Sequence, residues 1–343
     1  MIRSHQPEVA RLKTMSSIDF EKPIYELESK INELKEIGFG KNISLDPEIK
    51  RLEEKLEKMR LAIYQNLTAW QRVQIARHSD RPYTLDYIRL MMTDFVEIHG
   101  DRQFADDLAI VTGFAKLDDK KVLVIGHQKG RDTKENLMRN FGYAHPEGYR
   151  KAIRGMRLAE KFSIPIVIFI DTPGAYPGVG AEERGQAQAI ASNLKDMVQI
   201  KTPIVATVIG EGGSGGALGI GVADKVCMLQ HAYYSVISPE GCASILWRNS
   251  VKAPEAAEAL KIMPEHLFKF NIVDEIIPEP LGGVHHDPVQ GAVNLKKVIL
   301  KYIKELSKLP AEELLEKRYQ KFRQVGQFAE GPEEENNGTA KEK

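Results

Sequence analysis

Hydrophobic positions set one period near the start of the chain and other periods later. Ile24, Leu27, Ile31 and Leu34 recur every three or four residues, as do Ile49, Leu52, Leu56, Met59 and Ile63. "GFGKN" (38–42) separates the two runs and Asp46-Pro47 marks a helix start, so the pattern predicts a helical hairpin with a narrow apolar seam. Such a hairpin is either an appendage on its own core or a subunit-contact arm, and the pattern fits both. "TLDYIRLMMTDFVEIHG" (84–100) reads as an amphipathic helix capped by Thr84. Strands follow at 108–117 and 120–130, joined at Asp118-Asp119. Next come a helix at 146–162, a continuous apolar strand at 164–171 that ends in Asp171, a helix at 180–198 and a second buried strand at 202–210. Short strands at 224–230 and 233–238, helices from Pro239 and Pro254, a strand at 272–277 and helices at 288–308 and 310–325 complete the series.

Buried strands alternating with helices predict a layered α/β fold around a mostly parallel sheet. The expected organisation is a loose extension at 1–17, the hairpin at 18–80, the main domain at 81–306, a C-terminal helix at 307–328 and a disordered tail at 329–343. The tail is charged and poor in apolar residues, too little to bury a core.

Composition narrows the function. The 343 residues carry 48 basic and 48 acidic side chains, which argues against a chain built for general polyanion or nucleic-acid binding. Cys227 and Cys242 form no C-x-x-C, so neither a cysteine zinc site nor a disulfide framework is expected, and no metal site is read from the sequence. No apolar run is long enough to span a bilayer and no signal peptide is visible, so the expected location is the cytoplasm.

"IGEGGSGGALGIGVADKV" (209–226) fits three motifs at once. Gly210, Gly212 and Gly215 match a dinucleotide loop, but the following helix is short and holds Gly219 and Gly221. Gln230 and His231 stand where a ribose-binding acid belongs. Gly212, Ser214 and Gly216 match a nucleophile elbow, which needs a later acid and histidine; Asp274 and His231, His266, His285 and His286 are available but scattered. A Ser214 hydroxyl that caps the helix or satisfies a backbone group is the plainer expectation. The third reading uses backbone alone. "DTPGAYPGVGAEERG" (171–185) also follows a buried strand and precedes a helix, so two glycine loops emerge at one sheet edge, where their N–H groups can meet one oxyanion.

"GHQKGRDTKE", "NFGYAHPEGYRKA", "FIDTPGAYPGVGAEERGQA", "TVIGEGGSGGALGIGVADKV", "YYSVISPEGCASILW" and "IVDEIIPEPLGG" resemble the carboxyltransferase alpha subunit of bacterial multi-subunit acetyl-CoA carboxylase. The resemblance runs from about Ile18 to Phe328. It implies a crotonase-like fold of β-β-α units and an α2β2 assembly with a beta subunit of the same fold. It implies transfer of a carboxyl group from carboxybiotin, held on a biotin carboxyl carrier protein, to acetyl-CoA, giving malonyl-CoA for fatty acid synthesis. A separate biotin carboxylase would use ATP, and zinc would sit on the beta subunit. By this resemblance the alpha chain stabilises the biotin ureido oxygen, with donors from Gly174 and Ala175 in one loop and from Gly212, Gly213, Gly215 and Gly216 in the other. Lys129, Arg131, Lys134 and Arg139 are either a solvated basic loop or contacts for coenzyme A phosphates or the carrier protein. Other crotonase-like hydratases, isomerases or hydrolases, for which Glu211 is the carboxylate beside the loop, remain as an alternative, as does a non-catalytic scaffold that completes the beta chain.

Overall fold

The computed structural model describes residues 18–41 and 45–326. The expected extension at 1–17 lies outside them, as does the tail at 329–343. One mixed sheet organises the body: β1 (Thr93–Glu97), β2 (Ile110–Leu117), β3 (Lys120–His127), β4 (Ile166–Thr172), β5 (Ile204–Gly213), β6 (Lys225–Leu229), β7 (Tyr233–Ser235) and β8 (Glu275–Ile277). The spatial order is β1-β2-β3-β4-β5-β6-β8, with β7 also on β5. β1, β2 and β3 pair antiparallel, and the remaining pairs are parallel. β4 and β5 are buried along their whole length, as their mainly apolar runs require, and they also bury Asp171 and Glu211 near their C-terminal ends. Helices Pro146–Lys161 and Gln186–Met197 make the crossovers into β4 and β5.

β5 divides its pairing. Val205–Val208 lie beside β6, whereas Glu211–Gly213 lie beside β7. The strand therefore runs on through its glycines to Gly213, beyond the 210 expected from hydropathy. A five-residue helix, Ser214–Leu218, starts directly at its end.

The expected helix at 84–100 is shorter. It ends at Met91, and Thr93–Glu97 become β1, because pairing with β2 overrides the local helical period. Its N-cap is Tyr83, not Thr84; the Thr84 hydroxyl instead donates to the His127 carbonyl at 2.6 Å. The helix expected at 180–198 breaks at Gly185, whose φ of +85° is open to glycine at little cost. β3 stops at His127 rather than residue 130. Helices Ala69–Ala76 and Pro264–Lys269 had gone unread, although the Thr68–Gln71 capping box was in plain view.

The hairpin forms as Lys22–Lys41 and Asp46–Tyr64, so the first helix continues through Gly38 instead of breaking there. Its base packs on the body, where Ile24, Tyr64 and Ile75 form a small core. At the far end of the chain, helix Ala311–Arg323 is fixed by Arg318, fully buried and paired with Asp224 at 2.8 Å by two nitrogens.

Candidate active site

The parallel strands β4 and β5 deliver two loops to one edge. The first is Pro173–Gly178 and the second begins at Gly213. They touch backbone to backbone. A Cβ on Gly213 would lie 2.1 Å from the Pro173 carbonyl oxygen. A Cβ on Gly216 would lie 2.3 Å from the Gly174 carbonyl carbon and 2.6 Å from the Ala175 nitrogen. These two glycines are required for proximity, since any side chain would force the loops apart.

The loops border a cavity of about 830 Å³ reached by Gly174, Ala175, Ser214 and Gly215, with Arg77, Glu211 and Glu240 on another wall. A second, more apolar cavity of about 480 Å³ meets it at Ser214 and Val236. The first amides of helix Ser214–Leu218 have no intrahelical acceptor, so this short turn brings unpaired N–H groups to the cavity edge. In the other loop the Gly174 amide donates to Thr172 Oγ1 at 3.1 Å. The Ala144–Ala175 bridge uses the Tyr176 amide, which donates to the Ala144 carbonyl at 3.0 Å, and leaves the Ala175 amide outside that ladder.

Ser214 sits at φ +51°, in the left-handed region. Its hydroxyl does not cap the helix: the N-cap is Gly213, with no side-chain bond. Among the described residues no histidine is hydrogen-bonded to Ser214. His127, beside the Gly216 backbone, is pushed down to about 3, first by burial and then by the Lys129 charge. It is neutral at physiological pH but too weakly basic to activate a serine.

Below the second loop lies a buried charge network. Lys129 Nζ donates to Asp171 Oδ1 at 2.7 Å and to Glu211 Oε2 at 2.6 Å. Arg77 Nε and Tyr233 Oη both donate to Glu211 Oε1 at 2.7 Å. Arg77 also pairs with Glu240 at 2.5 Å, and the Glu211 amide donates to Asp171 Oδ1 at 2.9 Å. Burial alone would raise the Glu211 carboxyl, but Lys129 and Arg77 hold it down at about 2. Burial would likewise lower Lys129, and the two carboxylates outweigh it and raise the ammonium. Glu211 is the residue immediately before Gly212, so this clamp sets the path of the glycine loop.

The four basic residues of 127–139 do not converge on one ligand surface. Lys129 is committed to Asp171 and Glu211. Arg131 pairs with Asp86 and lies 3.9 Å over the Tyr83 ring. Arg139 bonds Glu135 and the Leu108 carbonyl, and Lys134 is exposed. Sequence reasoning missed Arg77, which enters the cavity wall from the end of helix Ala69–Ala76, and it missed the clamp.

β4 and β5, parallel neighbours in one mixed sheet, end in the paired glycine loops of an α/β fold. The arrangement superimposes on transcarboxylase 12S solved with methylmalonyl-coenzyme A and methylmalonic acid (20% identical, TM-score 0.53), over 68% of this chain. The match spans 44% of that structure's chain, less than half its length. The chain belongs to the acetyl co-enzyme A carboxylase carboxyltransferase-like family, whose model matches residues 17–326. The acetyl-coenzyme A carboxylase carboxyl transferase subunit alpha of Geobacter metallireducens is 57% identical over 91% of this chain and 98% of its own. That of Methylococcus capsulatus is 58% identical over the same shares, 91% and 98%. The chain is thus a carboxyl transferase subunit.

Proposed function

We propose that this chain supplies the biotin-side half of a carboxyl-transfer site, acting with a beta subunit in an α2β2 assembly to convert acetyl-CoA to malonyl-CoA. The observation that carries the reading is the backbone contact between the two glycine loops at the cavity edge. Carboxybiotin, presented by a carrier protein and charged by an ATP-using biotin carboxylase, supplies CO2 and leaves negative charge on its ureido oxygen. This chain's part is to hold that oxygen with amides of Ala175, Gly215 and Gly216, while Gly174, Gly212 and Gly213 keep the two loops in register. Preorganised donors of this kind are each worth on the order of 10²–10³ in rate. No side-chain nucleophile is needed, since the biotin anion itself can accept a proton from the acetyl methyl group. The resulting thioester enolate, stabilised by the partner chain, attacks CO2.

A partner is supported by the apolar rim. Val236 is 76% exposed beside the cavity, and Ile245, Leu246 and Val251 are exposed apolar residues on the helices that follow in sequence. The zinc that the resemblance implies belongs to that beta chain, and the cytoplasm is the proposed location. A hydratase or isomerase reading is disfavoured because Glu211 is already bound by Lys129, Arg77 and Tyr233 and stays ionised at neutral pH. The test is carboxyl exchange between malonyl-CoA and a biotin derivative, with this chain alone and mixed with the beta chain. Activity confined to the mixture is expected; activity from this chain alone would refute a shared site.

A further inference from the structure

A second cluster of chemically able side chains lies where the hairpin meets the body. Glu21, in the turn before helix Lys22–Lys41, has a fully buried carboxylate. Tyr64 Oη donates to its Oε1, Tyr25 Oη donates to its Oε2 at 3.3 Å, and His285 Nε2 lies 3.2 Å from Oε1. Among the described residues no lysine or arginine forms an ion pair with Glu21, and Arg60, which reaches this corner, pairs with Glu28 instead. A buried carboxylate without a cation is unfavourable. Among the described residues, the only side chain that can carry positive charge to Glu21 is an imidazole.

Two imidazoles face that carboxylate. His285 and His286 follow Gly282 and Gly283, both at positive φ, and their rings stand 4.5 Å apart. Each has a buried ring nitrogen without a partner, Nδ1 in His285 and Nε2 in His286. One ligand atom each from Glu21, His285 and His286 lies within 4.8 Å of the others. Metal–nitrogen and metal–oxygen bonds of about 2.0–2.2 Å around a tetrahedral ion place neighbouring ligand atoms roughly 3.3 Å apart, close to the His285–Glu21 separation. Two imidazoles and one carboxylate suit a borderline divalent cation, Zn2+ above Mg2+ or Ca2+, which prefer all-oxygen shells.

We propose that Glu21, His285 and His286 form a Zn2+ site, with a water as the remaining ligand. The ion would compensate the buried carboxylate and staple the hairpin to the loop 264 residues away in sequence. The inference does not depend on the carboxyl-transfer reading, and its test measures metal, not activity.

The experiment is equilibrium dialysis of the full, untagged chain against Zn2+, followed by elemental analysis, with thermal melts with and without the ion. One zinc per chain and a Zn2+-dependent rise in melting temperature are expected. His286→Ala, at a half-buried position that tolerates truncation, and Glu21→Gln, close to isosteric, should each weaken binding more than about 100-fold, beyond what loss of a supporting group costs. His266→Ala, outside the cluster, should bind as the parent does. Wild-type chain that retains no zinc would overturn the proposal. Zinc retained equally by both ligand variants would overturn it too.

Discussion

Gly216→Ala is the sharpest perturbation of the proposed site. The new methyl carbon would stand 2.3 Å from the Gly174 carbonyl carbon and 2.6 Å from both the Ala175 nitrogen and the Gly174 oxygen, where ordinary contact begins at 3.4 Å. All three are backbone atoms of the facing loop, so no flexible side chain can turn away. The loops must open by about 1 Å, and a displacement of that size in a positioned catalytic group costs about 10²-fold. That corresponds to roughly 3 kcal/mol of lost transition-state stabilisation. Gly215→Ala is the matched comparison, because its Cβ would meet Ile190 Cδ1 at 3.7 Å, an ordinary contact. The assay is carboxyl exchange between malonyl-CoA and a biotin derivative in the complex, with assembly checked by sizing. Gly216→Ala should lose about 10²-fold in kcat, and Gly215→Ala at least tenfold less. Assembled Gly216→Ala with activity within threefold of the parent would refute the oxyanion-hole reasoning and return the scaffold reading.

Lys129→Met leaves Asp171 and Glu211 buried without their shared cation, a loss of about 3–5 kcal/mol read by urea unfolding. Glu211 is held below its ordinary 4.5, so it stabilises the fold above that value and loses this contribution as pH falls toward about 2. Without Lys129 the folded carboxyl rises, and acid unfolding should begin at higher pH than in the parent; an unchanged acid midpoint would count against the clamp. Ser214→Ala should keep carboxyl transfer within about threefold, under 1 kcal/mol, because no histidine among the described residues is bonded to it; a loss of several orders of magnitude would point to a serine nucleophile. Arg318→Met strands the buried Asp224 and should cost about 3–5 kcal/mol by thermal or urea melting, while a neutral result would mean that helix Ala311–Arg323 docks by apolar packing alone.

The parts legible in the sequence were those governed by local pattern. β4 and β5 announced themselves through the apolar runs Ile166–Ile170 and Ile204–Ile209, broken only by Thr207, and the glycine loops followed from their ends. β1 was hidden because 84–100 keeps a helical period past Met91, and only pairing with β2 decides otherwise. Lys129 looked like part of a basic surface because its partners Asp171 and Glu211 lie 42 and 82 residues downstream. Arg77 gave no signal beyond one charge at a helix end. The Glu21–His285 pairing joins residues 264 positions apart and has no sequence motif, so the zinc proposal rests entirely on the fold.

The most direct test of the central claim is a crystal structure of the complex with this chain's partner and a biotin derivative bound. The account predicts the ureido oxygen about 2.7–3.1 Å from amide nitrogens of both loops, Ala175 on one side and Gly215 or Gly216 on the other. A ureido oxygen held by side chains, or by the partner's loops alone, would contradict it.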